Sequence, residues 1–127
     1  MEEIGINSTV LQEILAGKKT IETRLGKERF LNFKPGDEIS IREDVWENGE
    51  IVRSIPGRAK IVVTNAQRFT TFREMFHHLD YKQIIPSANS VDEALQSYKL
   101  YYDAVNERKY GTVAISFSLL DSNSNDA

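Results

Sequence analysis

The chain has no cysteine, which excludes a disulfide framework, a thiolate metal site and a cysteine nucleophile. It has no long apolar run, and its opening, Met1-Glu2-Glu3-Ile4, carries neither the cationic start nor the apolar middle of a secretory signal. A cytoplasmic protein that does not enter a membrane is therefore expected. Positive charge is not in excess either: 16 Lys and Arg stand against 19 Asp and Glu, a net charge of −3. A protein that coats nucleic acid or anionic lipid by bulk attraction is excluded, so any role on nucleic acid must come from a local basic patch. No glycine loop that cradles phosphate, no zinc-binding helix motif and no serine elbow is present. The only histidines, His77 and His78, are adjacent and have no third ligand at metal spacing, so neither a metal nor a cofactor is expected.

What is there suits one small domain. The 127 residues, 40% of them hydrophobic, can close a single core and are too few for two ordinary domains. From Asn7 to Gly17, Val10, Leu11, Ile14 and Leu15 recur at helical spacing; Thr9 and Gln12 can form a capping box, and Gly17 suits the left-handed residue that ends a helix. The Asn7-Ser8-Thr9 triplet, an acceptor pattern for glycosylation, reads as part of that helix start. Residues 19–25 then alternate, Ile21 and Leu25 on one side and Thr20, Glu22 and Arg24 on the other, as in a strand covered on one face.

Pro35-Gly36 predicts a turn before a strand with Ile39 and Ile41, and Asn48-Gly49 predicts a hairpin. A further strand is expected after a break at Pro56-Gly57, a short helix with Phe72, Met75, Phe76 and Leu79 on one stripe, and one helix from Ser90 through Val105 opened by a Ser90/Glu93 capping box. A closing strand over Tyr110–Leu120 and a disordered acidic tail over 120–127 complete the pattern. About five or six short strands with a few inserted helices imply an α+β chain, a small, mostly antiparallel barrel or strongly curved sheet with helices at its side.

The densest chemistry is at Lys18, Lys19, Glu22 and Arg24. A carboxylate beside a guanidinium stays ionised and orients it, and Lys19 at the helix-to-strand joint can swing toward the same space. Two readings stand: a pre-oriented pocket for a phosphate, a polarised carbonyl or a base edge, or a solvated strand with an ordinary ion pair worth under ~1 kcal/mol. Of the helical tyrosines, Tyr98 reads as core, while Tyr101 and Tyr102 divide between packing and facing a groove where a base can stack.

Gly17, Lys19, Glu22 and Arg24 match the G-x-K-x-x-E-x-R signature of the ASCH domain, a relative of PUA-like barrels. The Lys34-Pro35-Gly36-Asp37 turn, the helical insertion and the closing Tyr110–Ile115 strand extend the resemblance over residues 3 to 119, so that 1–119 reads as one ASCH domain. The resemblance implies a PUA-like β-barrel whose cleft takes RNA, a nucleotide or a modified nucleoside. Lys19 would be its cleft cation, Glu22 and Arg24 the polar partners and Gly17 a close-approach turn; Lys18, Thr20, Tyr101 and Tyr102 are further candidate ligand contacts on the reading of the residues themselves. Some small bacterial relatives deacylate N4-acetylcytidine through a threonine nucleophile. Glu22 stands at that position here, and a carboxylate cannot form the simple acyl ester. Hydrolysis of a modified nucleoside or of RNA stays open through Glu22 as general base and Lys19 as oxyanion partner.

Overall fold

The computed structural model describes residues 2–122, with side chains through Leu120. Five strands, β1 (Glu2–Asn7), β2 (Ile21–Leu25), β3 (Glu38–Glu47), β4 (Glu50–Phe69) and β5 (Thr112–Ser122), form one sheet in the order β1-β3-β4-β5-β2. Five α-helices accompany it: α1 (Ser8–Leu15), α2 (Glu28–Leu31), α3 (Phe72–His78), α4 (Val91–Tyr98) and α5 (Ala104–Tyr110). This is the expected α+β class. β1 and β3 pair in parallel and the other neighbours antiparallel, so the sheet is mostly antiparallel. Its ladder is open, with β1 and β2 as edges.

The sheet nevertheless curls. Arg24 on one edge strand donates from Nη2 to the Gly5 carbonyl on the other, 3.1 Å away, and the Arg29 guanidinium reaches the Glu3 carbonyl on that same edge. Cationic side chains thus satisfy β1 carbonyls that have no neighbouring strand.

Packing follows from the two faces of this curl. On the inner face Ile4, Ile39, Ile41, Ile61 and Ile115 are almost wholly buried, with Leu11 and Ile14 of α1 packed over them. Each such side chain contributes roughly 1.5–3 kcal/mol of burial free energy. On the outer face of β2, Ile21 and Leu25 join Phe72, Met75 and Phe76 of α3 and Ala94 of α4 in a second cluster. The helical layer is therefore anchored to the edge strand that carries the charged signature.

Several local expectations change. The cap of α1 is Asn7, whose Oδ1 accepts from the Val10 N–H at 2.9 Å, two residues earlier than the Thr9/Gln12 box. The Asn48-Gly49 turn has φ of 52° and 79°, the positive pair a hairpin of this kind needs. Pro56-Gly57 does not divide two strands. Ile41 pairs with Ala59 and Glu43 with Ile55, so Pro56, Gly57 and Arg58 bulge out opposite Arg42 within one long β4. A bulge tolerates the missing proline N–H and here brings Arg58 onto Glu43 at 2.8 Å. The single helix expected from Ser90 to Val105 is two, because Asp103 caps a new start by accepting from the Asn106 N–H at 2.7 Å. Of the expected 120–127 tail, β5 continues through Ser122, and residues 123–127 lie outside the described residues. No helix among the described residues is long and apolar enough to cross a membrane.

Candidate functional site

The signature strand β2 presents alternate residues to opposite faces. Ile21, Thr23 and Leu25 are buried toward the helices, while Glu22 and Arg24 oppose Ile115 and Val113 on the inner face. Lys19, just before the strand, is only 4% exposed. Its ammonium donates to the carbonyls of Ile21 and Ile84, each at 2.7 Å, and lies 3.2 Å from Glu22 Oε1. An ammonium has three hydrogens, and all three are thereby engaged. Lys19 ties the helix-to-strand joint to the loop after α3.

Glu22 is the centre of the group. Its Oε2 accepts from Arg24 Nε at 2.8 Å and from Arg24 Nη2 at 2.6 Å, while Oε1 faces Lys19. Burial alone would raise the pKa of this carboxyl, but the charges of Arg24 and Lys19 and their hydrogen bonds outweigh it and hold Glu22 below its ordinary value of 4.5. Arg24 in turn loses solvation by burial yet is held more firmly protonated by Glu22, and its guanidinium lies 5.3 Å from the Phe30 ring centre. Two cations around one carboxylate leave a net positive charge, and Arg24 Nη1 has no protein partner among the described residues.

The remaining expected residues divide. Thr20 Oγ1 donates to Gln83 Oε1 at 3.0 Å and is a structural contact. Gly17 adopts φ +76° after α1, with open space where a Cβ would stand, so it serves the turn and no close approach is seen there. Lys18 is exposed. Tyr101 is 73% exposed and does not join the cluster, whereas Tyr102 packs against Phe72 at 4.9 Å and Tyr98 at 5.5 Å between ring centres.

Tyr98 and Tyr102 wall a cavity of about 210 Å³ between α3, α4 and α5, together with Phe72, Leu95, Arg73 and Lys99. The Tyr98 hydroxyl shares a short hydrogen bond with Thr23 Oγ1, so the cavity wall is fastened to the signature strand. Burial raises the pKa of both tyrosines, and the nearby Glu22 charge raises it further, which keeps them neutral. The carboxylate in the lining, Glu107, accepts from the Phe72 N–H at 2.8 Å. Arg73 and Lys99 have no ion-pair partner among the described residues. A larger opening of about 370 Å³ lies between β1, α2 and β3, but Glu2, Asp37 and Glu38 line it against one Arg29. Its charge repels anions, and it does not touch the signature.

A second network was not anticipated. Arg42 grips Asp44 through two hydrogen bonds of 2.7 and 2.9 Å, Ser54 donates to Asp44 at 2.8 Å, and Arg42 reaches Glu3 at 3.0 Å. This pair lies over Gly5, where a Cβ would collide with both the Arg42 guanidinium and the Asp44 carboxylate. Gly5 thus keeps its carbonyl in place for Arg24. The period-two spacing of Arg42 and Asp44 could have shown a shared face, but nothing local announces that β1 lies beside it. Among the described residues no three His, Cys, Asp or Glu side chains assemble as metal ligands.

No family model matches the chain, and no curated protein matches it. Solved structures do. Hypothetical protein PH0355 superimposes with a TM-score of 0.77 at 31% identity, over 94% of this chain and all, 100%, of the other. The chain belongs to the PH0355 family. Protein PF0455 from Pyrococcus furiosus is similar, with a TM-score of 0.71 and 33% identity over 94% of this chain and 97% of that one. Membership in the PH0355 family thus covers nearly the whole fold, both the curled sheet and the helical layer that holds the cavity. Neither name specifies a ligand, so the chemistry of the cavity has to carry the functional argument.

Proposed function

We propose that this chain is an ASCH-type, PUA-like module that binds RNA or a nucleotide-like ligand, taking one base into the cavity between Tyr98 and Tyr102. The observation that carries the reading is the cavity's composition: an aromatic wall, two unpaired cations in Arg73 and Lys99, and a direct fastening through Tyr98 to the Glu22–Arg24 strand. At about 210 Å³ the space is below the roughly 300–1,000 Å³ of drug-sized sites, which suits a single ring system. Aromatic faces stack on any base, and cations at the rim favour the attached phosphate. The barrel-like part of the reading is supported by the Arg24–Gly5 bond between edge strands, which brings the open ladder close to closure.

Hydrolysis by Lys19 and Glu22, neither of which lines the cavity, is the weaker reading. Every Lys19 donor is engaged, and both Glu22 oxygens are held by cations that lower its basicity. A general base needs a free lone pair and a pKa near the working pH. The Glu22–Arg24 unit instead presents Arg24 Nη1 as a fixed donor toward a carbonyl or phosphate.

Isothermal titration with nucleosides, nucleoside monophosphates and short RNAs tests the proposal. Binding that Tyr102→Ala abolishes and Glu22→Gln weakens is expected. Absence of binding to every ligand at millimolar concentration refutes it. Turnover of an acylated nucleoside that Lys19→Ala eliminates would restore the hydrolase reading.

A further inference from the structure

The turn joining α4 to α5 and the first turn of α5 expose three apolar side chains near the cavity, Leu100 at 80%, Tyr101 at 73% and Val105 at 64%. The turn is not loose: the N–H groups of Tyr101 and Tyr102 both bond the Tyr98 carbonyl, at 3.0 and 2.9 Å. It holds two neighbouring aromatic rings in opposite roles. Tyr102 faces inward as cavity wall, and Tyr101 stands outward without a ring contact among the described residues. Their Cα atoms are about 3.8 Å apart, as consecutive residues must be. Lys99 belongs both to this turn and to the cavity lining, and Arg73 faces it from α3.

Several cations elsewhere in the molecule are consumed internally. Arg24, Arg29, Arg42 and Arg58 are each held by a carboxylate. Arg73 and Lys99 are not, and the one carboxylate in the same lining is committed to the Phe72 N–H. An apolar aromatic step flanked by unneutralised cations, on a chain of net negative charge, complements a ligand that alternates rings and negative charges.

We infer that the cavity is one of two adjacent base sites for single-stranded nucleic acid: one base enters against Tyr102, its neighbour stacks on Tyr101, and Arg73 and Lys99 take the phosphate between them. This rests on the binding reading above and adds the class of ligand and the outer subsite. A duplex is a poor fit because its bases are already stacked and paired, whereas a single strand offers both bases to aromatic faces.

The test compares a nucleoside monophosphate with short single-stranded RNA and DNA of one sequence on the intact protein. Tyr101→Ala alters an exposed side chain, and an unchanged melting curve checks its fold. The expected result is unchanged affinity for the monophosphate and about tenfold weaker affinity for the oligonucleotide. Lys99→Ala lowers the salt slope of oligonucleotide binding by about 0.7. RNA bound more tightly than DNA assigns a contact to the ribose hydroxyl, and equal affinities assign the site to backbone and base alone; either agrees with the inference. If the monophosphate binds and Tyr101→Ala leaves oligonucleotide affinity untouched, the outer subsite is wrong while the cavity reading survives. If neither ligand binds, both readings fail. A homodimer in sedimentation that Tyr101→Ala dissolves would show a second copy as the occupant of this turn and overturn the inference.

Discussion

At the residue scale, Glu22 is held by two cations and Lys19 by three acceptors, so these side chains are as much structural as functional. Lys19→Ala leaves the Ile21 and Ile84 carbonyls and one carboxylate oxygen of Glu22 unpaired in a buried place, and a loss of about 3 kcal/mol in urea unfolding is expected. An exposed, ordinary ion pair would instead show under ~1 kcal/mol. Glu22 and Asp44 both have pKa values lowered in the folded state, Glu22 by Arg24 and Lys19 against its burial, and Asp44 first by its hydrogen bond from Arg42. Groups whose folded pKa lies below the unfolded value stabilise the fold fully above that unfolded value, so their contribution is complete above the ordinary 4.5 of Glu22 and drains away as pH falls through the lowered values. Acid titration of stability therefore steepens below that point, and Glu22→Gln flattens it; an unchanged acid limb in the variant would contradict the assignment. Of these roles the sequence showed the charges and their common face. It did not show that Lys19 would be saturated, because one of its acceptors, the Ile84 carbonyl, is far away in the chain and carries no side-chain signal.

At the element scale, turns and strands with strong local chemistry could be read directly, and elements defined by distant partners could not. Asn48-Gly49 and the stripe of Phe72, Met75 and Phe76 depend on neighbours a few residues away and stand as expected, while Leu79, expected on the same stripe, packs on that cluster from just past the end of α3. β1 escaped notice because its two core residues, Ile4 and Ile6, sit among acidic and polar ones and gain their meaning only from parallel pairing with β3. The split between α4 and α5 turned on one competing cap, since the apolar spacing of Tyr98, Tyr101, Tyr102 and Val105 fits a continuous helix equally well. That cap makes a prediction: Asp103→Ala costs about 1 kcal/mol of stability and loosens α5, measured as faster amide exchange at Asn106 and Glu107. Exchange unchanged at those amides would mean that packing alone fixes the helix start.

At the scale of the whole molecule, an open ladder is drawn round by side chains that cross its gap, and a helical layer is hung on the edge strand at that gap. Gly5 is the tightest point of the closure. Gly5→Ala drives a methyl into the Arg42–Asp44 pair, and a loss of about 1–3 kcal/mol is expected, with Arg24 released from the β1 carbonyl. A curved sheet was expected from the sequence, but the contacts that draw it round were not legible there, since Gly5, Arg24 and Arg42 lie on three strands and only the curl brings them together. It matters to function because the same strand that closes the curl holds Tyr98 through Thr23 and so fixes the cavity wall. The measurement that bears most directly on this account is a backbone and side-chain NMR titration with a nucleoside monophosphate. The account predicts saturable shifts concentrated at Phe72, Arg73, Tyr98, Lys99 and Tyr102; shifts confined to the opening lined by Glu2 and Asp37, or none at millimolar ligand, would contradict it.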